Sequence, residues 1–226
     1  MMLGLGGWIR LQIIAIDGPA GSGKSSVSKA AAQQLGFGYL DTGAAYRALT
    51  WAEAKGLIDC SSATRSQLQR DFQYSISLDP GDYWVKVGNV DVTEEIRTVE
   101  IGKLVSRVAA FVEVRKYMKE LTRDLVVNSR FEGVIVEGRD ITTVIFPDAQ
   151  IRILLTATEE VRLRRRSAEL PSDAAVSDQI SQRDKEDSKV VDFMVPAAGV
   201  TLLDTSDLNF AETVAAVVKL VDETKA

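Results

Sequence analysis

Gly18-Pro19-Ala20-Gly21-Ser22-Gly23-Lys24-Ser25 fills the pattern GxxxxGK[ST], with Ser26 directly after it. Glycines at this spacing let consecutive backbone N–H groups turn inward as an anion nest. A helix starting near Lys24 adds its positive end to that nest. There Lys24 reaches the β- and γ-phosphates of a nucleoside triphosphate, and the Ser25 hydroxyl ligates Mg²⁺. Three more segments carry groups suited to phosphate. LDTGAAYR (40–47) offers Thr42 and Arg47, VEGRD (136–140) offers Arg139 and Asp140, and RLRRR (162–166) is a cationic run. Each has a plainer reading alone. Asp41 or Thr42 could cap a helix with Arg47 as a solvated charge, VEGRD could be a surface turn, and the arginine run a solvated face or an RNA patch.

The elements around these segments bring them to one edge. RLQIIAID (10–17), GVIVEGRD (133–140) and IRILLTA (151–157) are short apolar runs that read as buried strands, and FGYL (37–40) and VTLLDTS (200–206) read as two further strands. Helical stretches alternate with them: GKSSVSKAAAQQL, TGAAYRALTWAEAKG, a long helical pattern from 93 to 130, TEEVRLRRRSAEL, a second polar helix over 172–189, and NFAETVAAVVKLVDE. This alternation predicts a parallel sheet covered on both faces, with ligands beyond the carboxyl ends of the strands. FQYSISLDPGDYWVKVGNVDV alternates apolar and polar residues between turn signals at Asp79-Pro80-Gly81-Asp82 and Gly88-Asn89, and predicts a small antiparallel meander. The fold class expected is α/β, a three-layer P-loop fold with a five-stranded parallel sheet and a small antiparallel β insertion. Helical spacing groups Arg162 with Arg165 and Arg166; with Arg183 nearby they suggest a mobile arm lowering guanidinium groups onto phosphates. Trp8, Trp51 and Trp84 form no aromatic platform and read as packing residues.

Composition narrows the chemistry. The chain has 226 residues, 46% hydrophobic and 26% charged, enough for one sizeable domain with an insertion. A net charge of −5 argues against nucleic acid as the main partner, since backbone binding needs a broad basic surface. One cysteine, Cys60, excludes an internal disulfide and a cysteine zinc cluster, and suits a reducing cytoplasm. No apolar run is long enough to span a bilayer, and MMLGLGGWIR reads as a leader to the first strand rather than a signal peptide. Histidine is absent, which excludes Ser–His–Asp and Cys–His nucleophiles and the HExxH metalloprotease pattern.

Phosphoryl transfer needs positioning and charge neutralisation far more than covalent help. An acceptor that is itself a phosphate is mostly dianionic at neutral pH, its second pKa being about 6, and needs no base. An arginine-rich site without histidine suits such an acceptor, whereas an alcohol usually recruits a catalytic carboxylate. A nucleoside monophosphate is the natural candidate.

IDGPAGSGKSS, LDTGAAYR, EIRT, VSRVAAFVEVR, VEGRDITTVIFPDA, EEVRLRRR and RDKEDS occur in the order found in bacterial cytidylate kinases, and the chain resembles that family from about residue 12 to 220. The resemblance implies transfer of the ATP γ-phosphoryl group to CMP or dCMP, with Mg²⁺ accompanying ATP. It implies ATP binding by Gly18 to Ser26, with Lys24, Arg139, Arg162 and Arg165 (or Arg166) in catalysis. Arg47, Arg139 and Thr42 would hold the acceptor phosphate, Ser106, Arg115 and Asp140 the cytosine, and Arg183 and Asp187 the ribose. It further implies a core of residues 1–62 and 96–226 with a lid at about 158–190, and a β-rich insertion at 63–95 closing over CMP. A monomer is expected. The chain departs from the family pattern at Val190 and Met194-Val195, where an arginine and a Pro-Leu pair are usual and Lys189 is the nearest cation, and at Thr142, where glycine is common. Rival readings are a kinase of this architecture acting on UMP or a small metabolite, a regulatory P-loop NTPase, for which no [NT]KxD guanine-reading segment is present, and a nucleic-acid-dependent P-loop ATPase, which the acidic balance disfavours.

Overall fold

The apolar runs form strands, and in the central ones side chains alternate between two buried layers, while Thr201–Asp204 at the edge is largely exposed. A computed structural model describes residues 11–169 and 193–225. In chain order they form β1 (Gln12–Asp17), α1 (Lys24–Leu35), β2 (Gly38–Asp41) and α2 (Thr42–Ala54). Next come α3 (Arg65–Asp71), β3 (Tyr74–Ile76), β4 (Val85–Val87), β5 (Val90–Asp91), α4 (Val99–Ala109) and α5 (Val112–Val127). β6 (Gly133–Gly138), β7 (Ile151–Thr156), α6 (Glu159–Glu169), β8 (Thr201–Asp204) and α7 (Phe210–Lys225) complete the described elements.

One five-stranded sheet has the order β2-β6-β1-β7-β8, and every pairing in it is parallel. Ile14, Ile16 and Ile135 face a layer containing Val27 and Ala31 of α1 and Val214 and Val217 of α7. Ala15, Val134 and Val136 face the opposite layer, with Ala48 of α2, Val108 of α4 and Met118 of α5. Burial on both faces explains why these strands read as nearly continuous apolar runs. Each fully buried Ile or Val contributes about 1.5–3 kcal/mol relative to exposure. The three-layer fold and its five-stranded parallel sheet are as the sequence predicted.

The meander is present as a separate antiparallel sheet of β3, β4 and β5, with Gly88 in the β4–β5 turn. A helix the alternation did not announce, α3, precedes it; Thr64 and Gln67 form its capping box. Phe72, Ile76, Val85 and Val92 of this region share the α2–α4–α5 core. The long helical pattern of 93–130 is divided. A 3₁₀ turn at Glu95–Arg97 ends at Thr98, and α4 and α5 are separated where Phe111 adopts extended backbone.

Register puts the chemistry at one edge. Asp17 lies opposite Gly138 and Asp41 opposite Glu137, so three strands end level. Beyond β6 the chain forms a π-helical turn at Ile141–Ile145 rather than a simple surface turn. The Ile145 N–H reaches the Asp140 carbonyl at 3.0 Å and the Phe146 N–H the Ile141 carbonyl at 2.7 Å.

Candidate functional site

The phosphate loop runs from the end of β1 into α1. Gly21 (φ +74°) and Gly23 (φ +85°) take left-handed backbone, which turns the intervening peptides as the nest requires. A Cβ on Gly21 would also stand 2.7 Å from the Arg162 carbonyl oxygen. Two arginines of α6 hold the loop from outside. Arg162, 7% exposed, donates from Nη1 to the Ala20 carbonyl at 2.9 Å, and Arg165 Nη1 donates to the Ser22 carbonyl at 3.0 Å. Arg165 also bonds the Thr205 hydroxyl and carbonyl and the Leu208 carbonyl, tying α6 and the segment after β8 to the loop. In this conformation Arg162 and Arg165 grip loop carbonyls, while Arg164 is exposed and the Arg166 side chain lies outside the described ones.

Three carboxylates, Asp17, Asp41 and Glu137, stand at the strand ends behind the loop. Glu137, 2% exposed, accepts from the Ser25 hydroxyl at 2.6 Å and from the Tyr39 hydroxyl at 3.2 Å. Burial, with Asp41 close by, pushes Glu137 up from the usual carboxylate range, against the pull of Lys24 and the Ser25 hydrogen bond. Asp41 caps α2 by accepting the Ala44 N–H at 3.0 Å, and pairs with Arg47 at 2.6 Å. Burial pushes Asp41 up, but Arg47 and Arg97 beside it hold it below its usual range. The Thr42 hydroxyl donates to the Glu137 carbonyl at 2.8 Å.

Past β6, Arg139 donates from Nη1 to the Gly18 carbonyl at 2.6 Å, and its guanidinium carbon lies 4.5 Å from the Phe193 ring centroid. Asp140 pairs with Arg115 of α5 at 2.7 Å. Burial raises the Asp140 carboxyl while Arg115 opposes the shift. Ser106 is half-buried on α4. A cavity of about 550 Å³ opens beside the loop, lined by Ser25, Lys29, Tyr39, Tyr83 and Arg97 among others. Arg47, Arg115, Arg139 and Asp140 are not among its lining residues; Arg139 meets the loop at Gly18 and Arg47 meets the strand ends at Asp41.

A family model for cytidylate kinase matches residues 14–223. This chain belongs to the cytidylate kinase family. It is 42% identical to the cytidylate kinase of Streptomyces avermitilis over 95% of this chain and 94% of that one. It is 41% identical to that of Cutibacterium acnes over 94% and 96%, respectively. Among solved structures, TT1252 from Thermus thermophilus shares the fold at TM-score 0.50 and 20% identity, covering 96% of this chain and 99% of that one. A gluconokinase from Sinorhizobium meliloti does so at TM-score 0.51 and 14% identity, covering 96% and 95%.

Within this cytidylate kinase chain, Gly18 to Ser26, Arg139, Arg162 and Arg165 gather around the loop, and Arg47 and Thr42 join them through Asp41 and Glu137. Arg115 and Asp140 form one pair. Arg183, Asp187, Lys189 and Val190 lie outside the described residues, as does Trp8. Glu137, Asp17 and Phe193 entered no sequence expectation. Glu137 had a signal: it is the single acid inside the buried run GVIVEG, and an unexplained carboxylate in such a strand rarely lacks a partner. Asp41 read equally well as a cap, which it also is.

Proposed function

We propose that this chain transfers the γ-phosphoryl group of ATP to CMP, and also to dCMP, giving ADP and the nucleoside diphosphate. Membership of the cytidylate kinase family supports the reading, and one observation carries it for these residues. The end of β6 sets Arg139 on the phosphate loop while the next residue, Asp140, pairs with Arg115. A donor phosphate on the loop and an acceptor phosphate at Arg139 and Arg47 then meet end to end, which is the positioning that phosphoryl transfer requires.

The residues fit a divalent cation travelling with ATP. Ser25 Oγ and Glu137 Oε1 are hard oxygen donors 2.6 Å apart at the loop. Mg²⁺ typically takes one or two such protein oxygens besides substrate phosphates and water. Ser25 would hold it with Glu137 behind. When bound it neutralises charge on the β- and γ-phosphate oxygens. Lys24 bonds the donor phosphates, and Arg162 and Arg165 keep the loop's carbonyls turned away so that its N–H groups face the anion. Arg47 and Arg139, with Thr42, hold the acceptor phosphate, and no general base is needed for a dianion.

Cytosine presents an N4 amino donor beside the N3 and O2 acceptors. Asp140 accepts from N4, and Arg115 and Ser106 donate to the acceptors. Uracil would set O4 against the carboxylate and leave buried groups unpaired. Sites of this kind discriminate by up to about 10⁴–10⁵. Arg183 and Asp187 complete the ribose site, residues 63–95 close over CMP, and the chain acts as a monomer. Velocities with CMP, dCMP, UMP and AMP, each with ATP and Mg²⁺, test the reading. CMP and dCMP are expected to dominate, and a faster rate with UMP or AMP would overturn the assignment.

A further inference from the structure

Phosphoryl transfer gives no task to one of the buried carboxylates near the loop. Asp17 ends β1, directly before Gly18, and is 2% exposed. It accepts the Ile141 N–H at 2.9 Å, the Thr142 N–H at 2.8 Å and the Thr142 hydroxyl at 2.6 Å. Thr142 is itself 3% exposed. The Ile141 and Thr142 N–H groups open the π-helical turn, where first-turn donors lack partners within the turn itself.

The location explains why three bonds converge there. The ladder between β1 and β6 ends at Asp17 and Gly138, after which the two chains part toward the phosphate loop and the acceptor turn. Arg139 and Asp140 occupy the junction. Arg139 is tied to the loop through the Gly18 carbonyl, and Asp140 to α5 through Arg115. Asp17 closes the junction from below, so the acceptor pair is bracketed by Gly138 on one side and Ile141-Thr142 on the other. Hydrogen bonds to an ionised carboxylate are about twice as strong as neutral ones. Burial pushes the Asp17 carboxyl up, and the bonds from Thr142 and Ile141 oppose that shift. The hydroxyl is a feature a glycine at this position lacks.

We propose that Asp17 and Thr142 are positioning residues for the acceptor. Their three hydrogen bonds fix Arg139 and Asp140 against the phosphate loop, so acceptor geometry in this chain depends on the hydroxyl at position 142. The inference rests on the CMP reading and deepens it. Thr142→Val removes the hydroxyl at nearly constant size, Thr142→Ser keeps it, and Asp17→Asn sets an amide donor against one of the two N–H groups.

The test is steady-state kinetics of the full chain with CMP and ATP varied in turn. Thr142→Val is expected to raise KM for CMP about tenfold while KM for ATP stays within about twofold, and Thr142→Ser to return it to within about twofold of wild type. Asp17→Asn is expected to lower kcat/KM for CMP by about 10²-fold. If that variant does not fold, the Val–Ser comparison decides alone. Equal effects on both substrates, matching behaviour of Val and Ser, or a folded Thr142→Val with wild-type constants would each overturn the inference. A wild-type chain that does not turn over CMP overturns the reading beneath it instead, so the two failures are distinguishable.

Discussion

The phosphate loop takes most of its shape from residues 18–26, whereas the proposed acceptor side would be assembled from Arg47, Arg115, Arg139 and Asp140, drawn from three distant segments. The loop needs two left-handed glycines, a helix start and two carbonyl anchors from α6. The acceptor groups need the register of β2, β6 and β1 to be right, α5 to dock, and the 141–145 turn to hold. Local construction tolerates distant change and fails abruptly at one residue. Distributed construction degrades by steps, and its members influence one another.

Lys24→Ala should have the largest effect. The rate is expected to fall by at least about 10³-fold for every acceptor, with the urea midpoint unchanged, because the lysine acts on the transferring charge. A loss that differs among acceptors would show that the two halves are less separate than proposed. Asp140→Ala comes next, with KM for CMP up about 10²-fold and the CMP-over-UMP preference collapsing together. Unchanged CMP kinetics there would remove the base-reading role.

Asp41→Asn keeps an oxygen for capping α2 but leaves the Arg47 charge unpaired, 15% exposed. Equilibrium unfolding near neutral pH should show a loss of about 3 kcal/mol. Because the folded Asp41 value lies below the ordinary 3.8, its stabilisation is present above that pH and disappears as pH falls through the lower folded value. The gap between variant and wild type should therefore close only in strong acid; a gap that closes nearer neutrality would contradict the sign. Arg65→Ala should be the mildest change. Its pair with Glu120 joins α3 to α5 but is about half exposed on both sides, so urea denaturation should shift by no more than about 0.5 kcal/mol.

The same contrast decides how much could be read from sequence. The loop was legible because its geometry is encoded contiguously: Gly21, Gly23, Lys24 and Ser25 each have a spacing-dependent job. The sheet was legible because its central strands, buried on both faces, are nearly continuous apolar runs. Arg47, Arg139 and Asp140 were recognisable as strand-end groups, and the resemblance supplied Ser106 and Arg115. The partners of Asp17 and Glu137 were hidden, since Thr142 and Ser25 are more than a hundred residues away and only β1–β6 pairing brings them close. The π-helical turn was hidden for a related reason: a carboxylate on another strand, not a local propensity, takes its leading donors. α3 escaped notice because only its Thr64–Gln67 cap distinguishes it from polar loop.

β6 also works as a ruler. Glu137 lies behind Ser25, and Arg139, two positions on, touches Gly18. Removing one residue from 133–138 would turn alternate side chains to the opposite layer and draw Arg139 back by about 3.3 Å. Both nucleotide sites would be disabled by that one deletion. The number of residues in this strand is thus more tightly constrained than the choice among Val, Ile and Leu within it.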